Sequence, residues 1–244
     1  FTVSVAVEEA AWQSIGSVKG KPVEELIHAQ RDAFALVLDA ATNSTPISEV
    51  LVRQLHEQVC RTQSHYVVHT AAGPQEQLLP KGEYKRTPNY PRKPNGEVFV
   101  YAPPEETKRE MGRLVDELAT AAFAQAPPAV QAAYAHHAFV TIHPFADGNG
   151  RVARLLASVY LLRAISIPLL IWRDKKDAYL DALSAADAGN LQAFNRFVFD
   201  CAVDAGNYFS SKLNAASSGR LLRTAADRVE ELLRGRTGLP HAEL

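Results

Sequence analysis

The segment HPFADGNGRVAR, residues 143–154, concentrates side chains that handle protons and phosphates. His143 offers a base near neutral pH, Asp147 offers a carboxylate that attracts hard cations, and Arg151 and Arg154 carry permanent positive charge. Between them, the glycines of the Gly148-Asn149-Gly150 step allow a ligand to approach the backbone closely. This combination predicts a site that binds a polyphosphate and accepts a proton beside it.

The residues after this cluster predict the element that positions it. Apolar side chains with helical spacing follow Arg151 and form one face of an amphipathic helix: Val152, Leu155, Leu156, Val159 and Leu162. The first N–H groups of a helix lack backbone partners, and the helix dipole favours anions there. Gly148, Asn149 and Gly150 are therefore predicted to form a phosphate cradle, and Arg151 and Arg154, three residues apart, to reach the same anion.

The position of Asp147 and His143 beside this cradle predicts what each does. A carboxylate beside a polyphosphate is commonly joined to it by Mg²⁺, which makes Asp147 the candidate metal ligand. His143 would accept a proton from an incoming hydroxyl. Each residue also has an ordinary interpretation: Asp147 as a helix N-cap, His143 as a structural histidine, the glycines as a tight turn. Their coincidence within twelve residues favours the functional site.

The rest of the chain predicts a mainly α protein with one small hairpin. Helical periodicity covers residues 21–41, 45–61, 103–123 and 128–143, and Thr45 is the expected N-cap of the second of these helices, with Pro46 in its first turn. Asn95-Gly96, followed by Val98, Phe99, Val100 and Tyr101, is typical of a β-hairpin. Cys60 lies near His65 and His69, but the Tyr-Val-Val between the histidines indicates extended chain rather than a zinc-binding helix.

Composition restricts the setting. The 244 residues are 47% hydrophobic with a net charge of −1, which fits one large domain, or one domain and an appendage, and gives no reason to expect nucleic acid along the whole surface. Two cysteines favour a reducing, cytoplasmic location, and no signal peptide is visible. Arg163 and Pro168 interrupt the most apolar run, residues 155–172, so we expect a core helix and no membrane span.

Residues 143–154 resemble the signature of Fic-domain proteins, H-P-F-x-[D/E]-G-N-G-R-x-x-R, at every fixed position. The segment GEYKR, residues 82–86, is similar to the family's G-x-[YF]-R, with Lys85 where arginine is usual and Arg86 one place later. Residues 178–198 resemble the helical region that encloses the adenosine. The resemblance extends over roughly residues 4–205.

The resemblance implies a Fic-type helical domain, residues 21–209, that transfers AMP from ATP to a tyrosine, threonine or serine hydroxyl of a target protein and releases pyrophosphate. His143 would be the general base, Asp147 the Mg²⁺ ligand, residues 148–150 the phosphate contacts, and Arg151 and Arg154 the ligands of the leaving pyrophosphate. Gly150 resembles the AMP-transferring branch, because a kinase-like branch carries lysine there.

Two further sets of residues take roles from the resemblance. Residues 98–101 would form a flap that aligns the target by strand addition. Tyr179 and Asp187 fall where the family contacts the nucleoside, Asp187 standing where asparagine is more familiar. Family members often dimerise, so a homodimer is expected among the partners, together with ATP and the target protein.

The two ends of the chain, residues 1–20 and 210–244, have predicted roles outside the catalytic domain. Many family members carry an inhibitory motif, [S/T]-x-x-x-E-[G/N], and residues 1–20 contain Ser4 and Glu8 at that spacing, although Glu9 departs from it. Glu8, with Glu9 as the fallback, would pair with Arg154 and block the position of the γ-phosphate of ATP. Residues 210–244 are predicted to be a serine-rich linker and an appended helix. Nucleic acid is expected as a partner only if this helix is the start of a further domain.

Three alternatives remain open at the level of sequence. The same site could remove AMP from a target, or it could use another donor, such as a CDP-linked nucleotide or UTP. A third interpretation, from another class, is a DNA-associated or non-catalytic regulatory module. The intact His143 and the complete cradle favour catalysis over the last of these.

Overall fold

The chain is predominantly helical, as its apolar periodicity predicts. The computed structural model describes residues 23–70, 73–89 and 100–216. Within these ranges the helices are α1 Val23–Thr42, α2 Glu49–Val59, α3 Pro104–Leu118, α4 Ala121–Gln125, α5 Pro128–Ile142, α6 Asn149–Ile165, α7 Lys176–Asp187 and α8 Leu191–Ala216. Two strands, β1 His65–Thr70 and β2 Gly73–Leu78, form an antiparallel sheet between α2 and α3. The inhibitory residues Ser4 and Glu8 lie outside the described residues.

Helix α6 forms the centre of the domain because its middle is apolar on every side. All residues from Leu156 to Leu162 are buried. The sequence predicted an amphipathic helix, whereas the structure shows one that is enclosed by the protein on all sides at its middle. Helices α1, α2 and α5 pack around it. Within the described ranges, no helix combines the length and apolar character that a membrane crossing requires. The arrangement buries the body of α6 and leaves its N-terminus, at Asn149, to meet the loop that follows α5.

Several element boundaries differ from the prediction. The N-cap of α2 is Ser48, not Thr45: the Ser48 Oγ accepts a hydrogen bond from the Leu51 N–H at 3.2 Å. The segment predicted as one helix from 103 to 123 is divided, because Thr120 caps α4 by accepting from the Phe123 N–H. Helix α8 continues to Ala216, so the beginning of the predicted linker at residue 210 is helical.

The hairpin in the described residues is formed by β1 and β2, whereas the predicted turn at Asn95-Gly96 lies outside the described residues. Strand β1 contains the extended Tyr-Val-Val, and its partner β2, GPQEQL, is polar and almost wholly exposed. Strand β2 lacks the apolar alternation that identifies strands in a sequence, and it forms through its pairing with β1. Of the predicted flap, Val98 and Phe99 lie outside the described residues, whereas Val100 and Tyr101 lie in a loop before α3.

Candidate active site

His143 ends α5 and faces the N-terminus of α6. Its backbone is left-handed, with φ 53° and ψ 59°, and its N–H donates to the Phe139 carbonyl at 2.9 Å. The Nδ1 atom lies 3.2 Å from the Val140 carbonyl oxygen. Because a carbonyl only accepts, Nδ1 carries the proton and Nε2 is left with a lone pair. Burial lowers the pKa of His143 to about 4, so the imidazole is neutral at pH 7 and able to accept a proton.

Tyr101 covers one face of this imidazole. The two rings are stacked, with centroids 3.8 Å apart and planes 9° apart. Burial, together with the smaller effects of the nearby Asp187 and Tyr179, raises the pKa of Tyr101 to about 12. Tyr101 was predicted as part of the target-docking flap, and the structure places its ring directly against the candidate base. The His143 ring is therefore fixed both at its edge, by Val140, and on its face.

The loop between His143 and α6 is held by side chains that approach Phe145. Asn149 accepts from the Phe145 N–H at 2.9 Å through Oδ1 and donates to the Phe145 carbonyl at 2.7 Å through Nδ2. Asn89 donates to the same carbonyl at 2.7 Å. Since Asn149 is only 2% exposed and both ends of its amide are engaged, its contribution to a phosphate site would be its backbone N–H alone.

His56, which the sequence analysis did not single out, supports this loop from α2. Its ring stacks on Phe145, with centroids 3.8 Å apart. Nδ1 accepts from the Gly82 N–H at 2.9 Å, which leaves Nε2 as the donor to the Asp147 carbonyl at 3.0 Å. Burial lowers the pKa of His56 to about 4. A buried histidine on an apolar helix face gives no sequence signal that distinguishes it from other core residues.

Gly148 begins α6 with a backbone that other residues rarely adopt. Its φ is +80°, and a Cβ atom there would lie 2.6 Å from the Cys60 Sγ. The N–H groups of Asn149 and Gly150 have no hydrogen-bond partner among the described residues, whereas those of Arg151 and Val152 bond to the Gly148 carbonyl. The N-terminus of this 17-residue helix thus presents two free donors at the position predicted for the phosphate cradle.

Asp147 and Arg151 are connected through a residue that was not predicted. Asp147 accepts from the Gly148 N–H at 2.6 Å through Oδ1 and from Gln63 Nε2 at 2.6 Å through Oδ2. Gln63 Oε1 accepts in turn from Arg151 Nη2 at 2.5 Å, and Arg151 Nη1 donates to the Val59 carbonyl at 3.0 Å. Arg151 is thereby held against the C-terminal end of α2.

Asp147 could supply only some of the ligands that a Mg²⁺ ion requires. Among the described residues, no cluster of three or more histidine, cysteine or acidic side chains could hold a metal by itself. Each oxygen of Asp147 accepts one hydrogen bond and retains a lone pair. Mg²⁺ is typically bound by one or two carboxylates together with substrate phosphates and water, and Asp147 beside the α6 N-terminus suits that mode.

Arg154 has different surroundings from Arg151, although both were predicted to reach one anion. The Arg154 guanidinium makes no side-chain hydrogen bond or ion pair within the part of the chain that the structure describes. Burial lowers its pKa, and the nearby Tyr179 opposes that change. A guanidinium without a carboxylate partner in these ranges is suited to bind an anion.

The two residues predicted to contact a nucleoside lie on α7 and face α5. Tyr179 packs within an aromatic cluster, 5.9 Å from Phe197 between ring centroids, with its hydroxyl 3.4 Å from His136 Nε2. Asp187 Oδ1 lies 3.0 Å from His137 Nε2. Both side chains have partners inside the protein, so their predicted contact with a nucleoside stays a prediction.

A cavity of about 300 Å³ opens beside His143 and Asp147. One wall is formed by residues 66–68 of β1, and the others by residues 87–89 and Tyr101. Val67 on this wall is 54% exposed. The cavity is therefore lined by the hairpin, by the loop before α3 and by the candidate base.

The fold and site define a helical domain in which a neutral histidine lies beside a helix N-terminus whose first two N–H groups have no partner among the described residues. Residues 46–161 match the model of the Fic/DOC family, and the chain therefore contains a Fic/DOC family domain. The mainly helical prediction, the resemblance and the position of the signature agree with this result.

Known relatives match different shares of the chain. This chain is 45% identical over 74 residues to the protein adenylyltransferase Fic of Aedes aegypti, a match that covers 30% of this chain and 15% of that protein. The chain thus spans a small part of the curated relatives. A Fic domain-containing signaling protein from Bacteroides thetaiotaomicron has a TM-score of 0.71 at 24% identity, covering 90% of this chain and 91% of that one.

A second solved structure has the same fold at lower similarity. IbpAFic2, in complex with adenylylated Cdc42, has a TM-score of 0.54 at 20% identity, covering 82% of this chain and 62% of that one. At these identities the two structural neighbours show the fold alone.

Proposed function

We propose that this chain transfers AMP from ATP to a tyrosine, threonine or serine hydroxyl of a target protein and releases pyrophosphate. The observation that supports this most directly is the neutral His143, with Nε2 unprotonated, beside the free N–H groups that begin α6. The curated relative is named a protein adenylyltransferase, and IbpAFic2 was solved with adenylylated Cdc42.

The residues would divide the reaction between binding and proton transfer. The N–H groups of Asn149 and Gly150, with Arg151 and Arg154, would bind the polyphosphate. Mg²⁺, held by Asp147 and the phosphates, would neutralise charge on the leaving group. His143 Nε2 would take the proton of the target hydroxyl as its oxygen bonds to the α-phosphorus and the bond from that phosphorus to pyrophosphate breaks. Most of the rate enhancement would come from positioning and charge stabilisation.

The cavity beside His143 would admit the target segment. Residues of β1 and Tyr101 line it together with the base. Val67 and Val100 are 54% and 69% exposed, so both present apolar surface to a partner. The predicted flap, residues 98–101, would align the target chain on the side of Tyr101.

The N-terminal segment would act as a brake on this reaction. Glu8 would pair with Arg154 and exclude the γ-phosphate of ATP. The proposal is supported by the Arg154 guanidinium, which has no carboxylate partner among the described residues. Glu8→Gly should then increase ATP binding and auto-AMP transfer, and Glu9→Gly tests whether the neighbouring acid has this role in its place. Equal activity in the two variants and the wild-type chain would exclude the brake.

The reaction is tested with ATP labelled at either the α- or the γ-phosphate, incubated with the full chain and a cell lysate. We expect label on protein from the α-phosphate and none from the γ-phosphate. His143→Ala should abolish the transfer, whereas His28→Ala, which removes an exposed histidine of α1, should retain it. Label from the γ-phosphate would indicate a kinase, and loss of AMP from a pre-labelled target would indicate hydrolytic removal of AMP instead.

A further inference from the structure

We propose that Gln63 is a positioning residue that keeps Asp147 and Arg151 apart, so that one can bind the cation and the other the phosphates of a nucleotide. The inference rests on the proposed function, because it concerns the same nucleotide. Gln63 lies between α2 and β1 and is 84 residues away from Asp147 in the chain. Nothing in the signature 143–154 points to it.

The geometry fixes the orientation of the Gln63 amide. Its Nε2 donates to Asp147 Oδ2 at 2.6 Å and to the His65 carbonyl at 3.1 Å, and its Oε1 accepts from Arg151 Nη2 at 2.5 Å. A carboxylate only accepts and a guanidinium only donates. The NH₂ end must therefore face Asp147, and the oxygen must face Arg151. In a flipped amide, Oε1 would face the carboxylate of Asp147, acceptor against acceptor, and Nε2 would face the guanidinium of Arg151, donor against donor.

The surroundings hold Gln63 in place before any ligand arrives. Its N–H donates to the carbonyl of the buried Cys60 at 2.9 Å, which closes the turn after α2. Arg151 Nη1 bonds to the Val59 carbonyl in the same turn. The start of α6 and the end of α2 are thus joined at two points, and the side chain of Gln63 is one of them.

The consequence concerns the charges of Asp147 and Arg151. These two groups form no ion pair with each other in the described part of the chain, although both contact the same amide. A direct pair would draw the carboxylate away from a cation and the guanidinium away from a phosphate. The neutral amide hydrogen-bonds to both and leaves the remaining carboxylate lone pairs and guanidinium donors for a ligand. Through the His65 carbonyl, the same amide also contacts β1, the wall of the cavity.

Gln63→Met tests the idea because it keeps the length of the side chain and removes both hydrogen-bonding ends. The measurement is the dissociation constant of ATP with Mg²⁺ and with EDTA, determined by calorimetry on the full chain carrying Glu8→Gly. We expect the strengthening of ATP binding by Mg²⁺ to fall about tenfold or more, as for other residues that orient a metal ligand. Gln58→Met, at a surface glutamine of α2 that contacts Arg61, is the matched control and should leave it unchanged.

A double-mutant cycle separates positioning from general damage. If Gln63 acts through Asp147, Gln63→Met should cause no further loss of the Mg²⁺ effect in an Asp147→Asn chain. Additive losses, or a Mg²⁺ effect within about twofold of the parent in Gln63→Met, would overturn the inference. A parent chain that does not bind ATP at all would instead overturn the proposed function and the inference with it.

Discussion

The imidazole of His143 and the phenol of Tyr101 lie face to face, with centroids 3.8 Å apart and planes 9° apart. The two residues come from different elements, the end of α5 and the loop before α3. Since the Val140 carbonyl holds Nδ1, the stack removes the remaining rotation of the ring. The Nε2 lone pair is then presented to the cavity in one orientation, which is what a general base requires.

Tyr101→Ala is expected to reduce turnover by roughly fivefold, because a stacked aromatic pair contributes about 1 kcal/mol and a change of about 1.4 kcal/mol corresponds to a factor of ten. Tyr101→Phe keeps the ring and should lose much less. The measurement is kcat for auto-AMP transfer at saturating ATP. Equal losses in both variants would show that the stack does not position the base.

Gly148→Ala should damage folding, whereas Gly150→Ala should not. Gly148 has φ +80°, and an added Cβ would lie 2.6 Å from the Cys60 Sγ, while the Cβ of an alanine at Gly150 would lie 3.5 Å from Arg154 Nη1. The left-handed backbone alone costs about 1–2 kcal/mol. We expect urea unfolding to show at least this loss for Gly148→Ala and less than about 0.5 kcal/mol for Gly150→Ala.

The double variant Gly148→Ala with Cys60→Ala separates the two causes. Removing the sulfur relieves the contact but not the backbone strain, so the double variant should be less destabilised than the sum of the single variants. Strictly additive losses would mean that the close approach to Cys60 is relieved in another way.

Sequence predicted the part of the site that is continuous in the chain. The spacing in residues 143–154 sets the end of α5, the left-handed Gly148 and the start of α6, because these depend on local backbone preferences and on helix periodicity. The helical class followed from the same periodicity. The polar strand β2 could not be predicted in this way, because it is a strand through its pairing with β1 and not through its composition.

The supporting residues could not be predicted because they approach from distant positions. His56, Gln63 and Asn89 reach the loop 144–148 from 56 to 91 residues away, and no local pattern encodes such contacts. Tyr101 was assigned to target docking, and its ring is stacked on the imidazole of His143. Asn149 was assigned to the phosphates, which stays a prediction for its backbone N–H, and its side chain holds Phe145.

Acid should destabilise the protein between pH 6.5 and 4, in part through His56. Burial lowers its pKa from 6.5 to about 4, so in this interval the unfolded chain binds a proton that the folded chain does not. The free energy of unfolding therefore rises with pH over this interval and levels off above it. The shift corresponds to an upper bound on the order of 3 kcal/mol for this residue.

His56→Phe provides the measurement. It keeps an aromatic ring against Phe145 and does not titrate, so the variant should be less stable than wild type at pH 7 but lose less stability on acidification to pH 4.5. Urea midpoints across this range give both quantities, with His28→Phe as an exposed control. The assignment fails if the two variants and the wild type share one pH dependence.

Lys85 should stabilise the end of α5, while its neighbour Arg86 should not. Lys85 is 3% exposed, and its Nζ donates to Asn89 Oδ1 at 2.9 Å and to the Ile142 carbonyl at 3.3 Å. Arg86 is exposed and pairs only with Glu83 among the described residues. We expect Lys85→Met to reduce the free energy of unfolding by about 1–3 kcal/mol and Arg86→Met by less than about 0.5 kcal/mol.

The same substitution should change the pH dependence of catalysis. The positive charge of Lys85 helps to lower the pKa of His143, after burial as the main cause. His143 must be neutral to accept a proton, so activity is lost as pH falls through its pKa. Without the charge that pKa rises, and the acid limb of kcat/KM should move to higher pH in Lys85→Met but stay in place in Lys85→Arg. If the limb moves equally in Arg86→Met, the effect does not come from the buried ammonium group.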